Sequence, residues 1–183
     1  MSQTIKQIEA VPASYPNVPD GLSSAAAALD PKVIWQRIEA HTAFRSSERT
    51  VIWVVEGCGE WCPPLYPATI QTVEVWSRAG EWETVEIPAS PLGYYLPASG
   101  PYRFTGIVGD NDAAVPASIA EAFRRIAEYS VQKIALAGVA GATSETISVG
   151  GISLAYRRSP SWLALAMQNS GAADLLRPYR RLA

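Results

Sequence analysis

The sequence predicts an α+β protein with a small helical core around one long central helix, an antiparallel β-hairpin/sheet insertion, and extended N- and C-terminal arms. Three observations lead there. Residues 116–138 carry apolar side chains at helical spacing, residues 48–109 carry β-branched runs and alternation, and the two ends are punctuated by Pro12, Pro16 and Pro19 and by Pro178. With 183 residues, 48% of them apolar, the chain is long enough to bury the core of one ordinary globular domain rather than to stay disordered.

In chain order, residues 1–22 read as an extended arm lying on a neighbouring surface, because turn-formers alternate there with short apolar pieces. Residues 23–45 are mainly helical. Asp30 is a good N-cap, Pro31 fits the first helical position, and Ile34, Trp35 and Ile38 fall on one face through His41. The run Ala25–Ala28 adds a preceding helical turn.

The β-rich insertion spans 48–109. TVIWVV at 50–55 has the continuous apolar character of a strand buried on both faces, whereas Val73 and Val75 alternate with Thr72 and Glu74 as in a half-exposed one. SRAGE between Trp76 and Trp82 is a connection of hairpin length, and YRFTGIV after Gly100-Pro101 is a further strand.

Residues 115–183 are mainly helical again. Pro116 opens the central helix, Ser118 and Glu121 have capping-box spacing, Glu121 and Arg125 form an i,i+4 pair, and Ile119, Ala122, Phe123, Ile126, Ser130 and Ile134 form one stripe ending at Gly138. The Gly/Ser/Thr segment 141–156, with Gly150-Gly151 between short β-like runs, is either a hairpin or an extended strand that pairs with another subunit. Two short helices follow, one opening at Ser159-Pro160 with Trp162 and Leu163, the other capped by Ser170 and running through Leu175 and Leu176. Pro178 stops the second and leaves RPYRRLA as a projecting peptide.

Charge is uneven. Residues 1–115 hold 7 Lys+Arg against 13 Asp+Glu, a net −6, and residues 116–183 hold 8 against 4, a net +4. Each half therefore suits a partner of opposite sign, while the overall −2 argues against a general nucleic-acid coat. No apolar stretch is long enough to span a bilayer, and MSQTIKQIEAV has no signal-type apolar core, so no membrane partner is expected and the chain is expected to stay in a cytoplasm.

Chemistry is thin. His41 is the one histidine and its helix places it beside Trp35 and Ile38, away from any nucleophile, which reads as a structural histidine. Cys58 and Cys62 form a lone C-x3-C pair, short of a four-ligand zinc site and expected to stay as reduced thiols. The 138–144 stretch GVAGATS lacks the Lys-Ser/Thr of a phosphate loop and follows a helix. No catalytic, cofactor or metal residues are assigned, and an enzyme is not expected. Trp76, Trp82, Tyr94 and Tyr95 invite a sugar-stacking reading, although such rings more often serve as core and interface anchors.

The order VEVWSRAGEWETVEI, SPLGYYLPASGPYRFTGIVGD, VPASIAEAFRRIAEYSVQ and LLRPYRRL, covering roughly residues 30–183, resembles the head-tail connector (adaptor) proteins of long-tailed bacteriophages and of phage-like gene transfer agents. The resemblance implies a non-enzymatic virion subunit in the neck, forming a ring, twelvefold in the family, beneath the portal protein. Such a ring extends a channel through which double-stranded DNA passes without sequence specificity, meets a stopper or terminator protein below, and is assembled in the bacterial host cytoplasm. It implies a C-terminal docking peptide over 174–183, with Leu175, Leu176, Arg177, Pro178, Tyr179, Arg180, Arg181 and Leu182 toward the portal. Arg157 and Arg158 are expected at subunit or channel contacts. A stopper or tail-terminator neck protein is the alternative, and a glycan-binding module with the aromatic hairpin a more distant one.

Overall fold

The computed structural model describes residues 1–135, 144–149, 152–157 and 164–180. The chain forms two compact units, each built from separate stretches of sequence: a sheet unit of Met1–Pro16 and Thr42–Ala114, and a helical unit of Asn17–His41 and Val115–Arg180.

In the sheet unit, β1 (Gln3–Glu9), β2 (Arg49–Glu56), β4 (Ala68–Trp76), β5 (Trp82–Thr84) and β8 (Tyr102–Val108) form an antiparallel sheet of order β1-β2-β8-β4-β5. The remaining strands β3 (Gly59–Trp61), β6 (Ala89–Ser90) and β7 (Gly93–Leu96) form a second sheet of order β3-β7-β6. Between Trp76 and Trp82 the chain turns as the sequence suggests, Ser77 N–H donating to the Glu81 carbonyl at 2.8 Å.

Strand β2 departs from the two-sided burial expected of it. Val51, Trp53 and Val55 are buried, whereas Ile52 and Val54 are half-buried, because an antiparallel sheet packs one face and leaves the other outward. The inner face meets Trp61, Leu65, Val73, Leu96, Tyr102, Phe104 and Val108 in one apolar cluster. Phe104 lies opposite both Trp53 and Val73 in the register, with its ring centroid 4.2 Å from that of Trp61. One residue along from Thr105, Gly106 faces a register shift in β4 between Ile70 and Thr72; a Cβ there would stand 2.5 Å from the Thr69 carbonyl oxygen, so the close approach requires glycine.

In the helical unit, α1 (Ser24–Ala27), α2 (Pro31–His41) and α3 (Ala117–Ala135) precede a two-stranded ribbon, β9 (Ser144–Val149) with β10 (Ile152–Arg157), and the short helices α4 (Ala166–Asn169) and α5 (Ala172–Leu175). Asp30 caps α2 through Lys32 N–H at 3.0 Å, and Ser23 caps α1 through Ala26 N–H at 3.2 Å, as their types dictate. The α3 stripe is buried at Ile119, Ala122, Phe123 and Ile126, with Phe123 4.8 Å from Trp35 of α2. Ser118 and Glu121 do not close a capping box: the Glu121 carboxylate takes Arg124 and Arg125, each at 2.9 Å, and the Ser118 hydroxyl meets Tyr179.

The expected fold class is corrected. The protein is not a small helical core around one central helix carrying an inserted hairpin; it is sheet-rich, and the sheet unit has its own aromatic core, which the helical reading of the ends obscured. The N-terminal stretch is extended, and the surface it lies on is β2, with which β1 pairs antiparallel from Gln3 opposite Glu56 to Glu9 opposite Val51. Of the 141–156 alternatives, the ribbon is formed within the chain, Ile152 standing opposite Val149. Residues 136–143, including most of GVAGATS, and 158–163, including the Ser159-Pro160 helix start, lie outside the described residues.

Candidate functional site

The C-terminal segment is built differently from a projecting peptide. After α5, Leu176 is fully buried, and a 3-10 turn over Arg177–Tyr179 carries the chain back onto α3, where the Tyr179 and Ser118 hydroxyls lie 3.0 Å apart. Ser170 supports α5 by accepting from Ala172 N–H at 3.4 Å, and Gly171 takes the left-handed conformation that precedes it. What this leaves outward is Arg177, Pro178 and Arg180, with Leu175 and Tyr179 half-buried. Of the eight portal-side positions the resemblance implies, Leu176 belongs to the packing of its own unit, and Arg181 and Leu182 lie outside the described residues.

Arg180 also acts on His41 at the end of α2. Burial and then the Arg180 positive charge hold the imidazole below its ordinary pKa, and His41 Nε2 is buried with no hydrogen-bond partner among the described residues. Arg157 closes β10 opposite Ser144, and Arg158 lies outside the described residues.

The aromatic residues do not form one flat platform. Trp76 and Trp82 stand edge to face with centroids 5.1 Å apart, while Tyr94 is turned to the core against Trp61 and Phe104. Arg103 lies 4.6 Å over the Trp82 ring and binds Glu74 through two contacts of 2.6 Å, which holds the Glu74 carboxyl below the usual range. Cys58 and Cys62 are exposed and form no disulfide, one on either side of β3. Among the described residues, no three His, Cys, Asp or Glu side chains gather as a metal site, and no helix is long and apolar enough to cross a membrane.

One constellation escaped the sequence reading. Glu9, at the end of β1, accepts from Arg45 Nε at 2.5 Å and Nη2 at 3.1 Å and from Arg49 Nη1 at 3.1 Å, and both guanidiniums are nearly buried. Arg45 further donates to the Thr42 carbonyl at 3.0 Å, and Arg49 to the Ser47 carbonyl at 3.1 Å while lying 5.8 Å over the Tyr15 ring. Along the same strand the Trp53 indole N–H donates to Gln7 Oε1 at 2.8 Å and the Trp61 indole N–H to Thr4 Oγ1 at 2.9 Å. The signal available in the sequence was weak, because the residues that make these bonds, Thr4, Gln7 and Glu9, are polar and the register shift between Thr4 and Lys6 breaks their alternation.

No family model matches this chain, and no curated protein matches it. Among solved structures, a chain of the "Neck of empty GTA particle computed with C6 symmetry" aligns over 98% of this chain and 97% of its own length, with a TM-score of 0.53 and 14% identity. The two share a fold. A chain of the "Virion of native gene transfer agent (GTA) particle" covers 84% of this chain and 75% of its own length, with a TM-score of 0.47 and 15% identity.

Proposed function

We propose that this chain is a structural, non-enzymatic neck subunit of a phage-like particle, forming a ring that joins head to tail below the portal. The observation that carries the reading is the end-to-end match of fold to a chain of a gene transfer agent neck, covering 98% of one and 97% of the other. That neck was computed with sixfold symmetry, which accommodates a twelvefold ring as well as a sixfold one.

The charge supports the same reading. The sheet unit, residues 1–16 and 42–114, holds 5 Lys+Arg against 10 Asp+Glu, a net −5; residues 17–41 and 115–180 hold 9 against 7, a net +2. A ring requires one patch to meet a different patch on the neighbour, and opposed charge supplies complementarity for it. On the portal side, Arg177 and Arg180 are the exposed cations of the C-terminal segment among the described residues, suited to bidentate pairing with carboxylates.

The test is the mass of the complex formed on co-expression with the portal protein of the same particle. Truncation before α5 is the wrong control, because it removes buried Leu176. Arg177→Glu with Arg180→Glu leaves that packing intact. A ring-sized complex for the native chain, lost in the double variant, supports the portal-side assignment; no association of the native chain overturns the connector role.

A further inference from the structure

We infer that the N-terminal segment 1–16 is an exchangeable strand, donated in the assembled ring to the sheet of the adjacent copy; this rests on the ring reading above. The acceptor is the edge of β2 together with the Trp53 and Trp61 indole N–H groups and the Arg45/Arg49 pair. Its occupant is Gln3–Glu9 of a second copy of this chain.

The bonding of the segment is of the kind that transfers between copies. Pro12 is its one buried residue, and Ile5, Ile8 and Val11 are all exposed, so its departure costs the apolar cluster of the sheet no member. What holds it is main-chain pairing to β2, the polar clasps of Thr4, Gln7 and Glu9, the Ser2 hydroxyl donating to the Glu60 carbonyl, and the Arg49 guanidinium over the Tyr15 ring. Those clasps are an address, because each buried indole N–H and guanidinium requires its acceptor. Every copy carries the same address and the same key, so the site cannot distinguish its own strand from a neighbour's.

The hinge is also present. Asn17, Val18 and Asp20 are exposed, Pro19 favours an extended chain, and Gly21 sits at a φ of +85°, a conformation open to glycine. Residues 1–16 belong to the sheet unit and residue 17 opens the helical unit, so the hinge falls where the segment ends. Exchange gives each copy one donor and one acceptor, a head-to-tail contact that closes into a ring when the rotation allows. In the ring the neighbour's strand reaches an effective concentration of order millimolar, which lets it compete, whereas a dilute isolated chain keeps its own strand.

The test uses the register, in which Ile8 stands opposite Ile52. The full chain carrying Ile8→Cys and Ile52→Cys, with Cys58→Ser and Cys62→Ser, is purified dilute and also as its complex with the portal protein, then oxidised and run denatured without reductant. The expected result is internally bridged monomer from the dilute chain and a ladder at multiples of 19.7 kDa from the complex. Co-expression of two chains, one with Ile8→Cys alone and one with Ile52→Cys alone, then gives a bridged dimer that only exchange permits. A complex yielding only internally bridged monomer, or no bridge at all, overturns the exchange and leaves the ring standing. If the native chain forms no complex, ring and exchange fall together. Where only the cysteine variant fails to assemble, Lys6→Cys with Val54→Cys, the opposed pair two residues along, replaces it and is read in the same way.

Discussion

In the sheet unit four rings, Trp53, Trp61, Tyr102 and Phe104, are buried together with Val51, Val55, Leu96 and Val108, whereas in the helical unit four alanines, Ala122, Ala127, Ala166 and Ala172, are buried beside Trp35, Phe123, Ile119, Ile126 and Leu176. Small residues let short helices approach closely, but each contributes little buried area; interlocked rings contribute much and tolerate truncation poorly. The difference teaches where each unit is vulnerable. The sheet unit fails through its rings, and the helical unit, where alanines fill part of the core, depends more on the contacts of its ends.

The sharpest way to break that comparison is Phe104→Ala. Phe104 is fully buried between Trp61 and Tyr94, and its loss should cost about 3–5 kcal/mol in urea unfolding followed by tryptophan fluorescence. A cost below about 1 kcal/mol would mean that the rings are not what holds the sheet unit. Next comes Glu9→Gln, which takes from Arg45 and Arg49 their shared carboxylate and should cost about 2–3 kcal/mol by the same assay.

In the helical unit Tyr179→Phe removes one hydroxyl contact with Ser118 and should cost about 0.5–1.5 kcal/mol, read as loss of ellipticity at lower urea. The smallest effect is that of pH. The folded state holds the His41 pKa down, so the unfolded chain binds a proton more readily, and stability contributed by neutral His41 is full above its ordinary value of 6.5. That stability is lost as pH falls below this value, and His41→Gln should flatten the dependence in thermal melts at a series of pH values.

What the sequence disclosed follows the same division. α2 and the described part of α3 were readable because Asp30, Pro31 and the Ile119–Ile126 stripe are local signals, each interpretable within a few residues. The Trp76–Trp82 hairpin was readable for the same reason. β1 was not, because its strand character comes from pairing with residues more than 40 positions away, and its inward side chains are polar. β2 misled in the opposite sense, since Ile52 and Val54 on the outward face are as apolar as its inner residues. The small β3-β7-β6 sheet, whose strands are two to four residues long, offered too little pattern to read. The C-terminal segment was readable as basic and proline-stopped; that Leu176 packs inward was not, because that segment folds back through long-range contacts such as Ser118 with Tyr179, which spans 61 positions.

The interleaving of the two units sets a timetable for synthesis. The strands of the sheet unit begin at Gln3 and are complete only at Val108, while the helical unit opens at Asn17 and needs residues to Arg180. At roughly 5–20 residues per second, the last residue of β1 is made about 2–10 seconds before the last residue of β2. The edge pairing of the sheet is therefore available to a chain within itself well before its helical unit is made.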